Sequence, residues 1–182
     1  SVATTTANIT KRDLTVTATG VNKVFDGTTT ATVTLSDNRI TGDSLTSAYT
    51  SATFADANVG STKPVTVSGI SISGTDSGNY NLVNTTASTV ANITSRPITV
   101  TANSGQSKLF MDPDPVFSFT CSQTTAPIPV FTGALGRVAG ESIGTYPINL
   151  GTLSAGSNFN ITFIPSSFTI YGFQIFLPTV VK

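Results

Sequence analysis

Asp112 and Asp114, set among prolines in MDPDP, are the densest pair of carboxylates in the sequence and the first place to look for a bound cation. Calcium takes six to eight oxygens, several of them carboxylate. Two local acids fall short of that. The alternating prolines confine the backbone to extended or turn geometry, so the segment reads as a rigid loop with solvated aspartates. Glycoside hydrolysis by paired carboxylates needs two acids facing each other across a cleft. Glu141 is the only glutamate, and no acid has an evident partner. With 0 histidines, the usual base for activating a hydroxyl, His-type zinc sites and near-neutral proton shuttles are all missing. The single Cys121 has no partner for an internal disulfide and reads as a small apolar side chain. The expectation is a non-enzymatic chain with no catalytic residues, no metal and no cofactor.

The other chemistry-bearing clusters read as turns. Asp26-Gly27 and the run Asp56, Asn58, Gly60 supply side chains that bond their own backbone and glycines that permit positive φ. GTDSGNY (residues 74–80) reads as a loop in which Tyr80 opens a strand and its hydroxyl ties down a corner. Asn8, Asn84, Asn92 and Asn160 each begin an Asn-x-Thr triplet, which a chain this rich in threonine produces by chance.

Charge narrows the partners. The formal net charge is +0 with 10% charged residues, so there is no basic field for nucleic acid and no polybasic stretch for an anionic membrane. The most apolar stretch, residues 173–181, is broken by Pro178 and too short to span a bilayer as a helix. The partners left are neighbouring modules or copies of the chain itself, together with a host or surface ligand that the sequence does not identify.

These residues sit on strands. Thr, Val, Ile and Phe alternate, with Gly, Asn, Asp or Pro between the runs, as in half-buried strands joined by turns. DLTVTAT (13–19) puts Leu14, Val16 and Ala18 on one face, and PITVTAN (97–103) does the same with Ile98, Val100 and Ala102. Further strands are expected at TATVTLS (30–36), PVTVSGISIS (64–73), YNLVN (80–84) and STVANIT (88–94). Later ones are expected at VFSFTC (116–121), IPVFTG (128–133), TYPINLGTL (145–153), FNITFI (159–164) and SFTIYG (167–172). FADANVG (54–60) is the one place where a helical turn is plausible. The fold class is all-β: two tandem antiparallel β-sandwich modules, immunoglobulin-like in the broad sense, with essentially no helix.

The chain repeats itself. Residues 1–18 align with residues 85–102 at eleven of eighteen positions, the self-similarity that marks arrayed modules. The organisation is therefore residues 1–10 as the terminal strand of a preceding repeat or a donor strand, modules at 11–94 and 95–172, and an apolar strand at 173–182. Almost no linker separates the strand ending at Thr94 from the one starting at Ile98. The N-terminal strand implies either a fragment of a longer array or a subunit that gives the strand to a neighbour; the C-terminal strand either folds back on its own module or serves another molecule. Candidate intermolecular strand residues are Val2, Ala3, Ala7 and Ile9 at one end and Phe173, Ile175, Phe176, Leu177 and Val180 at the other.

In the first module KVFDGTT (23–29), FADANVGSTKPVTVSGI (54–70) and GTDSGNYNL (74–82) follow one another in order. This resembles a YDG domain, a repeat of large bacterial surface proteins and adhesins, with Phe25 where the family name has its Tyr. In the second, KLFMDPDPVFSF (108–119), GRVAGESIGTYPI (136–148) and GTLSAGSNFNITF (151–163) resemble an MBG domain, with Phe110 and Met111 replacing the usual aromatic-glycine pair. The resemblances imply repetitive all-β extracellular architecture on a bacterial cell surface and no transferable catalytic signature. The leading expectation is a structural and adhesive segment acting as a stiff stalk, and the second is a filament subunit assembled by strand exchange.

Overall fold

The structure, a computed structural model, describes residues 2–173. The chain divides into two compact units between Thr94 and Ser95. Strands make up both, and the only helical turn among the described residues is the 3-10 turn Ser77–Asn79.

In module 1 the opening strand runs as β1 (Arg12–Leu14) and β2 (Val16–Val21) and then changes sheets to become β3 (Lys23–Val24). After it come β4 (Thr32–Asp37), β5 (Thr46–Ala48), β6 (Ser51–Phe54), β7 (Gly60–Ser68), β8 (Ser71–Ser73), β9 (Tyr80–Leu82) and β10 (Thr86–Thr94). On one side β4 pairs antiparallel with β2, β9 pairs parallel with β1, and β5 pairs with β8. On the other side the order is β3-β10-β7-β6. Period-2 alternation turns Leu14, Val16 and Val33 from one side towards Val65, Val67, Ala91 and Ile93 from the other; all seven are buried.

Module 2 consists of β11 (Arg96–Ala102), β12 (Gln106–Leu109), β13 (Phe119–Cys121), β14 (Gly136–Arg137), β15 (Gly144–Asn149), β16 (Phe159–Ile164) and β17 (Ser167–Tyr171). Its orders are β13-β11-β16 and β12-β17-β15-β14. Apart from the β5–β8 pair, which has no counterpart among the described strands of module 2, these pairings repeat those of module 1, with β11 in the place of β1 and β2 and β17 in the place of β10. The core gathers Val100, Ala102, Phe117, Leu135, Ile148 and Phe168. Phe117 meets Phe168 edge to face, with ring centroids 5.1 Å apart.

The sheets are mixed, where the sequence suggested purely antiparallel ones. In each module the opening strand runs parallel to two later strands: β1 with β9 and β3 with β10, then β11 with β16 and β12 with β17. Alternation of apolar and polar residues carries no strand direction, so the sequence pattern is the same in either case.

Three local expectations are corrected. IPVFTG (128–133) forms no strand, only a bridge from Thr132 to Ser154, because Pro127 and Pro129 lack the amide donors a ladder needs. VFSFTC pairs only from Phe119, leaving Val116 91% exposed beyond Pro115. FADANVG makes no helical turn; the Asp56 carboxylate accepts from the Asn58 amide at 2.8 Å and holds a bend instead.

At the N-terminus residues 2–11 take no strand pairing among the described residues, and Val2, Ala3, Ala7 and Ile9 are exposed. Phe173 is exposed as well. Ile175, Phe176, Leu177 and Val180 lie outside the described residues.

Candidate functional site

The most organised polar groups of module 1 surround Lys23. Strand β3 delivers its ammonium within hydrogen-bond reach of Asp26 Oδ1 (2.8 Å), Thr28 O (2.7 Å), Thr28 Oγ1 (3.1 Å) and Thr30 O (2.9 Å). The same Nζ lies 5.5 Å from the centre of the Phe54 ring. Asp26 Oδ1 also accepts from the Thr28 amide, and Gly27 takes φ 77°, a region that favours glycine. Burial works against the charge on Asp26, but the Lys23 ammonium and the Thr28 amide and hydroxyl hold its pKa at about 2. One ammonium thus pins the whole Asp-Gly-Thr-Thr turn to the closing sheet.

A second hub organises module 2. Lys108 on β12 places Nζ 2.8 Å from Asp114 and 2.5 Å from Glu141, while Arg137 on β14 contacts Asp114 Oδ2 at 2.6 Å and Glu141 Oε1 at 2.5 Å. Both cation side chains are almost fully buried, and the Arg137 guanidinium stacks near Tyr146 and Phe168. Arg137 and then Lys108 pull the Asp114 carboxyl below its ordinary range, and Lys108 and then Arg137 do the same to Glu141. In return, Asp114 and Glu141 raise Lys108.

Asp114 is therefore not the solvated loop aspartate that the sequence suggested, and Glu141 does have partners. The proline-rich loop turns Asp114 inward onto the protein's own cations. Among the described residues Asp112 makes one hydrogen bond, from its backbone amide to Leu109 O. No group of three or more His, Cys, Asp or Glu gathers among the described residues to hold a metal. An open cleft of about 460 Å³ lies beside the hub, lined by Pro115, Val116, Leu135, Ala139 and Glu141 among others. A general acid needs a raised carboxyl pKa and a lysine nucleophile a lowered one; both carboxyls here shift down and the lysine shifts up. This arrangement suits a structural tie.

Tyr80 does tie a corner. Its hydroxyl accepts from the Ile40 amide at 2.9 Å and donates to Asp43 Oδ2 at 2.5 Å. Beside it Asp37, its side chain 1% exposed, takes Arg39 Nε at 2.7 Å and Ser47 Oγ at 2.7 Å. Two of the Asn-x-Thr asparagines are occupied: Asn84 donates to Val16 O and Thr86 O, and Asn92 accepts from the Thr62 amide.

With this geometry in hand, residues 10–89 match the model of the YDG domain, and residues 98–169 match that of the MBG domain, YGX type. The chain carries a YDG domain followed by an MBG domain. Both domain types fit a repeat module of a bacterial surface protein. Neither a curated protein nor a solved structure matches the chain. Among the described residues no helix is long and apolar enough to cross a membrane.

In the YDG domain the motif around Asp26 and Gly27 is the turn gripped by Lys23, with Phe25 buried and its amide donating to Thr94 O at 2.8 Å. In the MBG domain Met111 stands where the resemblance has a glycine, and it takes φ 73°, the region that glycine adopts without cost. Sequence reasoning missed Arg137 and the four-charge hub. One usable signal was the repeat itself, since Lys23 and Lys108 both precede a Val/Leu-Phe pair at the start of their domains.

Proposed function

We propose that the chain is a load-bearing segment of a bacterial cell-surface protein, a stalk of tandem domains that holds adhesive regions away from the cell. The observation that carries this reading is the parallel pairing of opening and closing strands in each domain. In the YDG domain Thr94 stands opposite Val24, twelve residues along the opening strand from Arg12. At ~3.3 Å per residue the chain enters and leaves at poles roughly 40 Å apart. In the MBG domain Tyr171 stands opposite Leu109, thirteen residues along from Arg96. Tension applied at the two poles would load β3 against β10, and β12 against β17, in shear. Parallel strands sheared past each other must break several hydrogen bonds at once, whereas strands pulled apart from one end lose them singly.

Ser95 alone separates β10 from β11, so backbone pairing resumes one residue after it stops. A low-charge, threonine-rich surface suits a spacer that sticks to little. A filament built by strand exchange is the weaker reading, because the places between β3 and β7 and between β12 and β15 are filled by the chain's own β10 and β17.

Force spectroscopy on the full chain held by its two ends tests this. The expected record has two discrete unfolding events, each releasing roughly 250 Å of chain at ~3.5 Å per residue. Gradual extension with no discrete event would refute the load-bearing role.

A further inference from the structure

We infer that residues 2–10 are the closing strand of a further YDG-type domain, inserting between the strands of that domain that correspond to β3 and β7. The inference names a partner for the exposed N-terminal segment. It extends the stalk reading, and its failure would leave that reading standing on β3/β10 and β12/β17.

Residues 1–10 align with residues 85–94, and every position of β10 that is not exposed is identical: Ala87, Thr89, Ala91, Asn92 and Ile93 correspond to Ala3, Thr5, Ala7, Asn8 and Ile9. The four differences fall at positions 85, 86, 88 and 90, all exposed. A strand resembling β10 only through its threonine content would differ inside and outside alike.

Each shared residue does something specific in the YDG sheet. Thr89 Oγ1 accepts from the Gly20 amide at 3.2 Å. The Ala91 methyl lies 3.0 Å from where a side chain on Gly20 would begin, so only a small residue fits there. Asn92 joins two neighbours, its amide donating to Asn22 Oδ1 and its Oδ1 accepting from the Thr62 amide, both at 2.7 Å. Ile93 is 1% exposed and stands opposite Lys23. Meanwhile the same residue types in the N-terminal segment lie in solvent, with Ile9 100% exposed.

The segment also discriminates between domain types. In the MBG domain Ile170 stands opposite Lys108 as Ile93 does opposite Lys23, and two residues earlier the closing strand carries Phe168 in place of Ala91. Phe168 is fully buried against Phe117. Ala7 would leave that space empty, whereas it fits against a glycine equivalent to Gly20. A second copy of this chain is a poor host, because its YDG slot is filled by β10, which continues through Ser95 into β11. The joint supports a covalent neighbour: Thr10 and Arg12 repeat Thr94 and Arg96 at the same spacing.

The test uses the full chain with Ile9→Asp and Ile93→Asp, which disables both closing strands, and the free peptide SVATTTANIT. The peptide should restore the calorimetric transition of the YDG domain and bind at least tenfold more tightly than peptides with Ile9→Asp or Ala7→Phe. Equal binding of all three peptides would overturn the inference, as would rescue by a peptide of residues 85–94 and none by residues 1–10. If the variant accepts neither strand, the deciding protein is T85S/T86V/S88T/V90T, which writes the N-terminal sequence into β10 of the native chain. Retention of the YDG transition within about 3 °C, together with slow exchange of the Gly20 and Thr62 amides, supports the assignment. Loss of either rejects it.

Discussion

Lys23 and Lys108 hold the same place in their two domains: each faces an isoleucine of the closing strand, Ile93 or Ile170, across a parallel ladder, and both isoleucines are 1% exposed. Their partners differ in kind. Lys23 serves two backbone carbonyls as well as Asp26 with one ammonium, so Lys23→Met should destabilise the YDG domain by about 2 kcal/mol. Lys108→Met leaves Asp114 and Glu141 still paired with Arg137, and the MBG domain should lose only about 1 kcal/mol. Differential scanning calorimetry of the full chain reads both; the reverse order of losses would contradict this account of the hubs.

Met111 offers the opposite change. A side chain held at φ 73° costs about 1 kcal/mol relative to glycine, and Met111 is 81% exposed, so it returns little packing for that strain. Met111→Gly should raise MBG stability by roughly 0.5–1 kcal/mol, after allowing for the greater freedom of glycine in the unfolded chain. The midpoint of the MBG domain in a urea titration should move up while that of the YDG domain stays put. A fall would show that the methionine side chain contributes more than its exposure suggests.

What the sequence revealed depended on the range of the interaction. The alternation of Leu14 and Val16, and of Ile98, Val100 and Ala102, located the opening strands because burial on one face repeats every second residue; all five are buried. Tyr80 was legible as a corner because it opens a strand after a turn-rich loop. By contrast, the pairing of Asp114 with Arg137 spans 23 residues and depends on which loop faces β14. No local pattern encodes that choice. IPVFTG misled because its alternation is that of a strand while its prolines remove the donors, and the direction of β9 and β16 left no trace in any period.

Gly20 should be intolerant of even one methyl group. A Cβ there would lie 2.4 Å from Val90 O and 3.0 Å from the Ala91 methyl, where the two sheets of the YDG domain come together. Backbone cannot rotate away as a flexible side chain would. Gly20→Ala is expected to cost about 2–3 kcal/mol and to lower only the YDG transition. Gly78→Ala, with nothing within 4 Å of the added carbon, serves as the control and should change stability by less than about 0.5 kcal/mol. Equal effects at the two glycines would mean that the sheets separate easily at β2 and β10.

Acid should unfold the YDG domain through its paired carboxylates. In the folded protein Arg39 and Ser47, opposing the burial of the group, hold Asp37 at about 2, against 3.8 for a free side chain, and Asp26 is likewise held at about 2. A carboxylate whose folded pKa is depressed binds more protons when unfolded. Its contribution is therefore present in full above about pH 4 to 5 and is lost as pH falls towards 2. For Asp37, whose side chain is almost fully buried, that contribution is on the order of 1–2 kcal/mol. Asp37→Asn should remove most of it at pH 7, and the variant's stability should then decline less steeply between pH 4 and 2 than that of the unsubstituted chain. With no histidine in the chain, stability between pH 5 and 8 should be nearly flat. Urea titrations across pH 2 to 8 measure both. A slope centred near pH 6, or an acid limb as steep in Asp37→Asn as in the original, would rule out Asp37 as a source of the acid sensitivity.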